Sequence, residues 1–591
     1  MSFGRPRLAV LCIAGAAALV LGLPGAFAQG GDTEVTVGSN DTVFSQNKQN
    51  EPALAVDANH PNVLVAGAND NIDLEACNAG NPKTCPFTDG VGVSGVYFSF
   101  DSGHTWTQPT YDGWTARHCV GPPGFTCTPH VGPIGTLPWY YENGLVSDGD
   151  PALAFGPRRG ANGKFSWANG SRLYYANLTS NFSSNRKEEA FKGFEAIGVS
   201  RTDDVAAAAA NDKSAWMPPV IASRQKSAQI FSDKEQIWAD NASSSPFFGN
   251  VYICFAEFRG AIGASAPLVV LTSHDAGDTW TSKQVTAAHN VPATQFGQSG
   301  CTVRTDSHGV AYVFYELFQS PFKFLPPQGI HFVIKSFDGG QSWTRPQELF
   351  RITDPCFFVD PNINRCVEDG VAGARNDLSG SPSVDIANGA PTGADATNEI
   401  VDTWADGRDG LNREHVMVAY STNGARSFSS PVSIEDPGDR GYYSAPGISP
   451  NGTDLYITYN AFTTPFQNTT GTPRVLVGVV KHASIGAGGT PTGWTTLHRG
   501  APGDPRGSSQ NNLQAEFLGD YVYSIATRTY GAGVWNDTRN AADCPAMDTY
   551  RQAVEDGTAT SSSTDPLRPA PNVDCPPTFG NSDIFSFTSA P

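Results

Sequence analysis

Charge is scarce in this chain: Asp, Glu, Lys and Arg make up 16% of 591 residues, and acids outnumber bases by 57 to 38, for a formal net charge of −19. So few basic residues argue against nucleic acid or an anionic membrane as a partner, because both require a positive surface. Long apolar runs are also missing. Beyond Leu8 to Leu23, no stretch reaches the roughly 18 apolar residues of a membrane helix, so no membrane span is expected. There is no CxxC pair and no histidine cluster, and no HExxH, GxSxG or glycine-rich phosphate loop stands in a supporting context. No metal and no cofactor is therefore expected. Asp148-Gly149-Asp150 offers oxygen ligands suited to calcium but lacks the spaced acids of a calcium loop.

What is abundant points to β-structure. With 62 Gly, 43 Pro and 11% aromatics the chain suits a loop-rich all-β protein, and its length exceeds what one core serves unless the core is built from repeats. Arg5 and Arg7, the apolar Leu8 to Leu23 and the small-residue site Ala26-Phe27-Ala28 form a secretory leader over residues 1–28. Residues 29–591 are expected as one exported domain, periplasmic or extracellular. Ten cysteines follow the leader. An even count in an exported chain favours disulfides; proximity suggests Cys77 with Cys85, Cys119 with Cys127, Cys356 with Cys366 and Cys544 with Cys575, leaving Cys254 and Cys301, although sequence does not fix the connectivity.

One octapeptide, Ser-x-Asp-x-Gly-x-Thr/Ser-Trp, occurs three times: at Ser99 to Trp106, Ser273 to Trp280 and Ser336 to Trp343, with a decayed copy at Ser421 to Phe428. Each full copy follows an alternating apolar run (GVYF, LVVL, HFVIK) and precedes a short polar strand, which makes it a hairpin turn. The Asp carboxylate can accept turn amides, the Gly can take positive φ, and the Trp can pack between sheets. These copies resemble the Asp-boxes, or BNR repeats, of sialidase-like β-propellers. The resemblance implies an all-β propeller of four-stranded antiparallel blades with the boxes on its rim.

Reading outward from the boxes gives seven units, with first strands opening near Glu51, Asp150, Lys234, Cys301, Ser381, Tyr442 and Phe517. Seven blades are expected, with six as the alternative if one unit is an elaboration. The N-terminal Thr33 to Val37 is expected to supply the outer strand of the last unit, leaving no free sheet edge. Insertions near 77–138 and 540–580 are too long for hairpin loops and are candidate lids. Ala206 to Ala210 reads as a short helical or flexible insertion.

In a propeller, loops entering the first strands and loops leaving the second strands share one face. That places Glu51, Asp148, Asp150, Asp233, Glu235, Tyr442, Tyr443 and Asp520, and on the other set Asp70, Glu257, Arg259, Glu316, Asp406, Arg408, Asp537 and Arg539, around a central mouth. Arg259, Arg408 and Arg539 stand at matching repeat positions. Either they gather on a substrate carboxylate, as the arginine triad of sialidases does, or each bridges to an acid of its own unit. Tyr443, in GYYSAP, resembles the late Tyr-Ser carrying the nucleophilic tyrosine of sialidases; Glu316 would be its base and Asp150, or Asp148 or Asp70, the acid. The chain departs from that family where a Phe/Tyr-Arg-Ile-Pro motif would stand, reading Asn50-Glu51-Pro52. The expected function is a sialidase-like glycoside hydrolase or glycan-processing protein, monomeric, acting on a carbohydrate or glycoconjugate. The alternative is a non-catalytic propeller that binds a glycan or a protein.

Overall fold

The computed structural model describes residues 31–589 apart from 78–84, 86–87, 121–126, 184, 186, 224, 226, 261–264, 289–295, 320–324, 361–363, 370–373, 487, 510–512 and 514–516. The leader expected over 1–28 lies outside the described residues. The fold is all-β, built chiefly of four-stranded antiparallel sheets. The predicted first strands form at Gln49–Val56, Ala152–Arg159, Ile230–Ala239, Phe296–Thr305, Ser383–Ile386, Arg440–Ile448 and Tyr523–Ala526. Each pairs antiparallel with the strand that follows it in its own sheet. Each also packs against the first strand of the next sheet, and Tyr523–Ala526 returns against Gln49–Val56.

Central strands read as continuous rather than alternating apolar runs because both of their faces are covered by neighbouring sheets. Val251–Arg259 opens with six buried residues, VYICFA, and its two faces serve two different cores. Val251, Ile253 and Phe255 pack toward Ala154, Tyr174 and Ile197 of the preceding sheet, while Tyr252, Cys254 and Ala256 pack toward Val303, Val313 and Ile334 of the next. The Cys254–Cys301 disulfide joins the sheet of Val251–Arg259 to the next one, and the other four pairs suggested by proximity are also bonded.

All four octapeptides close the same way. In the first, Asp101 Oδ1 accepts the Thr105 amide at 2.9 Å, Asp101 Oδ2 accepts the Thr105 hydroxyl at 2.6 Å, and Ser99 Oγ accepts the Gly103 amide at 2.8 Å. The second repeats these bonds around Asp275, and the third around Asp338. In the decayed copy Asn423 accepts the Ser427 amide at 3.1 Å in place of an Asp. Two successive residues take positive φ in each: Ser102 and Gly103, Ala276 and Gly277, Gly339 and Gly340, Gly424 and Ala425. Trp106 crosses to the closing sheet, where its indole N–H donates to Ser586 Oγ at 2.9 Å.

That closing sheet is shared between the chain ends. Thr33–Glu34 pairs with Asp583–Thr588, which lies beside Gly531–Asp537. The insertion near 540–580 carries helices Pro545–Glu555 and Pro571–Asp574, and the one near 77–138 carries the strand pair Tyr111–Thr115 and His130–Ile134. The alanine run forms the helix Val205–Ala209, N-capped by Asp204.

Replacing Asp275 with Ala removes the acceptor for three turn bonds, from the Thr279 amide and hydroxyl and the Ser273 hydroxyl, and is expected to cost about 1–2 kcal/mol in urea unfolding. Burial raises the Asp275 pKa, but the Thr279 hydroxyl and amide outweigh it and hold the carboxyl below its usual range. Its contribution is therefore full above the unfolded value of about 3.9 and is lost as pH falls through the folded one. The gap between wild type and Asp275→Ala should narrow below about pH 4; a gap that widens in acid would contradict this account of the turn.

Candidate functional site

Four of the seven first strands carry an irregularity at their entry. Register slips between Asn50 and Ala53, Asp233 and Gln236, Ser299 and Thr302, and Gly441 and Tyr443. Three charged residues near these entries hold left-handed backbone: Glu51 at φ 56°, Asp150 at 52° and Lys234 at 60°. Gly300 and Gly519 take this conformation near the entries of two other sheets, at 60° and 88°. Glycine suits Gly519 for a second reason, since a Cβ there would lie 2.6 Å from the Glu51 backbone nitrogen. A non-glycine residue held this way costs of order 1–3 kcal/mol, so three together mark a place where the aim of the side chain matters.

The three side chains meet. Lys234 Nζ stands 3.0 Å from Asp150 Oδ2, 3.6 Å from Glu51 Oε1 and 3.8 Å from Asp233 Oδ1, and it also contacts Asp520. Asn69 ties the acids together, donating to Glu51 Oε2 at 2.6 Å and accepting the Asp150 amide at 2.9 Å. Burial opposes the charge on Lys234, but Asp150, Asp520, Glu51 and Asp233 overcome it and raise its pKa well above the ordinary value. Burial likewise opposes ionisation of Asp150, yet Lys234 wins and holds it down at about 2. Glu51 goes the other way: burial and the Asp150 charge push it well up, so one proton is shared among crowded carboxyls.

Around this cluster open two adjoining cavities, of about 840 Å³ and 560 Å³, both lined by Phe231, Asp233, Lys234, Arg365 and Arg375. Arg375 stacks its guanidinium 4.0 Å above the Phe517 ring, pairs with Asp377 at 2.7 Å and lies 3.8 Å from Asp520. Lys48 and Arg568 line the larger cavity, as do Asp148 and Glu195. Burial pushes Asp148 up to about 7, against hydrogen bonds from Ser180, and pushes Glu195 up to about 9, helped by Asp148 and Asp233. Cys85 and Arg568 bring both long insertions to the wall of the larger cavity.

The residues expected from sequence divide. Asp150 stands in the cluster. Tyr443 lies beneath it, on a small inner cavity shared with Lys234 and Asp520, but is only 2% exposed; its hydroxyl donates to the Arg375 carbonyl at 3.4 Å and its ring packs on Tyr442. Burial, Tyr442 and Asp520 raise its phenol well above 10, and the acids acting on it are Asp520 and Asp377, not Glu316. Glu316 instead accepts from Ser381 Oγ at 2.8 Å and shares a hydrogen bond with Asp354, while burial raises its carboxyl to about 7. The arginines are not gathered. Arg259 pairs with Glu257 at 2.6 Å, Arg408 is clamped by Asp406, and Arg539 is held by Asp537 at 2.7 Å and Asp32 at 2.6 Å. Each bonds to an acid two residues earlier in the chain, Arg408 and Arg539 as forks and Arg259 through Nε alone, a local bond that needs no neighbouring sheet.

Lys234, Arg365 and Arg375 were not among the residues expected from sequence. Lys234 carries a signal, since it opens its strand as Glu51 and Asp150 open theirs. Arg365 and Arg375 come from Arg365–Glu368 and Ala374–Arg375, short strands of the segment around Cys356 and Cys366. Only that cysteine pair, between one sheet's last strand and the next sheet's first, marked the segment.

Lys234→Met leaves Glu51, Asp150, Asp233 and Asp520 without their shared cation and is expected to cost about 3–5 kcal/mol in urea unfolding at pH 7. The loss should shrink in acid as the carboxyls take up protons. A neutral substitution would show that the cluster is not held by Lys234.

No family model and no curated protein matches this chain. Among solved structures it is similar to the Hadza microbial sialidase Hz136, with 13% identity and a TM-score of 0.38 over 70% of this chain and 63% of that one. It is also similar to Trypanosoma rangeli sialidase in complex with the inhibitor DANA, with 12% identity and a TM-score of 0.38 over 86% and 74%. A third is the intramolecular trans-sialidase from Ruminococcus gnavus, with 11% identity and a TM-score of 0.38 over 72% and 93%. The chain thus spans less than two thirds of the length of the Hadza sialidase.

Proposed function

We propose that the seven successive sheets are the blades of a closed β-propeller forming one exported domain, and that its charged mouth binds and hydrolyses an acidic glycan. The propeller reading is supported by the ring of first strands, in which the last packs on the first, and by the sharing of the closing sheet between the chain ends. Five disulfides agree with export.

The observation that carries the hydrolytic reading is the divergence of two acids on one cavity wall. Asp150 is held ionised at about 2 beside Lys234, whereas Asp148, two residues earlier, keeps its proton up to about 7 because burial dominates its surroundings. Neighbouring carboxyls with separated pKa values can supply an acid and a base at the same pH. In the proposed reaction Asp148 gives its proton to the leaving oxygen as the glycosidic bond breaks, the Asp150 carboxylate stabilises the positive charge that develops on the sugar ring, and a water then adds to the anomeric carbon and returns a proton to Asp148. Arg375 and Arg365, with Lys48 beside them, hold the acidic group of the glycan. Tyr443 serves as the floor, since its raised phenol and its bond to a carbonyl oppose ionisation.

Binding without hydrolysis is the second reading. It is favoured by one observation, that Lys234 is already neutralised by its own acids.

A panel of fluorogenic glycosides, with uronic and sialic acid derivatives included, tests the proposal on the mature protein. Release of the fluorophore should fall as pH rises above about 7, when Asp148 loses its proton. Asp148→Asn should reduce kcat by about 10²–10⁴, Arg375→Met should raise KM for acidic sugars, and Tyr443→Phe should remain active. Loss of activity in Tyr443→Phe alone would return the chemistry to the tyrosine. Silence across the panel with retention on an immobilised acidic glycan would establish the binding reading.

A further inference from the structure

The first strands that frame the mouth at one end also enclose a cavity at the other. It holds about 210 Å³ and is lined by residues from all seven of them. Six strands contribute apolar side chains, Val56, Phe155, Ile237, Ile386, Ile448 and Ile525, and the seventh, Phe296–Thr305, contributes Arg304. A smaller inner cavity lies between the two ends, sharing Lys234 with the mouth and Gln236, Arg304 and Tyr523 with the lower cavity. On that shared wall the Tyr523 hydroxyl donates to Gln236 Oε1. On the outer side, the turns that follow the strands are tied to one another. Arg528 donates to the carbonyls of Ala390 at 2.6 Å and Gly389 at 3.1 Å and pairs with Asp395 at 2.7 Å, and the Trp167 indole N–H lies 3.2 Å from both the Asn241 and the Pro391 carbonyl. The lower cavity is therefore a separate chamber with an apolar lining, unlike the acid-rich mouth.

Size and polarity together define a ligand. An apolar cavity of about 150 Å³ holds a benzene molecule, so this one admits two fused rings or one ring with a short substituent. The wall carries two acids, Asp57 and Asp385, and both are already satisfied. Asp57 accepts the Asn59 amide at 2.8 Å through one oxygen and meets His60 Nδ1 at 3.0 Å through the other. Asp385 meets Arg304 Nε at 3.3 Å through one oxygen and accepts the Ile448 amide at 3.0 Å through the other. Arg304 has capacity left. Its guanidinium lies 4.6 Å from the centre of the Trp238 ring, which fixes its plane, and Nη1 donates to the Val303 carbonyl at 2.8 Å, while Nη2 makes no hydrogen bond among the described residues. The chamber thus combines one cation with a spare donor, two aromatic side chains in Phe155 and Trp238, and an aliphatic lining. We propose that it is a second binding site, for an aromatic monocarboxylate of one or two rings that sets its carboxylate on Arg304 and its ring among the apolar side chains. A sugar suits the mouth but not this chamber, where its hydroxyls would be buried against side chains that offer them no partner.

The test titrates mature protein with 2-naphthoate by calorimetry, with 2-naphthol as the neutral analogue and octanoate as an acid without a ring. Wild type should bind 2-naphthoate saturably and octanoate about tenfold more weakly, since a flexible chain loses more freedom in a closed chamber. Arg304→Met should weaken 2-naphthoate by about 10–100-fold while leaving 2-naphthol unchanged, a contrast that misfolding would not produce. Val56→Phe, which adds a ring to the wall and removes no polar group, should abolish binding of both at an unaltered Tm. Arg375→Met should bind 2-naphthoate as wild type does, because that arginine belongs to the mouth. Absence of saturable 2-naphthoate binding by wild type, undiminished binding by Val56→Phe, or loss of binding in Arg375→Met alone would overturn the proposal. Equal affinity for octanoate would overturn the aromatic assignment. None of these readouts depends on activity at the mouth.

Discussion

The ammonium of Lys234 is the constraint on which the centre of this protein depends. It is buried, and burying a lysine without partners would strip its proton; here acids from the first, second, third and last sheets surround it. An ion cluster of this kind is weak as a source of net stability, because desolvation offsets much of the attraction, but breaking one member is severe. The consequence is positional. Four sheets must arrive in one register or leave a buried charge unpaired, so the cluster selects a single arrangement of strands that apolar packing alone would specify less sharply. The left-handed backbone at Glu51, Asp150 and Lys234 is consistent with that demand, since a regular strand would turn these side chains elsewhere.

At the periphery the logic differs. Each of the three full octapeptide turns satisfies itself with a serine, an acid and a glycine within eight residues, so its own bonds do not depend on the mouth. The aromatic residue at its end reports on tertiary structure, and Trp106 does so by reaching the strand that completes the closing sheet. The periphery is therefore local and repeatable, while the centre is non-local and different in every sheet. This division explains how a rim motif can recur while the residues at the mouth do not.

The same division decides what the sequence reveals. The octapeptide turns, the first strands and the pairing of neighbouring cysteines are legible because each depends on residues close in the chain. The N-terminal strand was legible for a different reason: one unit lacked an outer strand and one stretch had no other place. The site was legible only in part. Glu51, Asp148, Asp150, Asp233 and Asp520 follow from strand position, but Arg259, Arg408 and Arg539 mislead, because repetition at equivalent positions reflects a local Asp-x-Arg or Glu-x-Arg bond. Arg375 was hidden because its approach to the mouth is fixed by short strands of an insertion and by stacking on Phe517, neither of which has a periodic signature.

The mouth also limits what it can hold. Arg375 already pairs with Asp377, and its side chain retains 23% exposure, so an incoming anion shares the guanidinium rather than finding it bare. A monodentate anion would gain little from that arrangement, whereas a planar carboxylate can use the second face of the fork and keep Asp377 in place. Phe517 under the guanidinium fixes its plane, which turns a charge into a directional site. The neighbouring acids then work as a filter: a ligand carrying several negative charges would meet Asp150, Asp233 and Asp377, while one carrying a single carboxylate on an otherwise neutral, hydroxyl-rich frame would set its charge at Arg375 and offer hydroxyls to the rest.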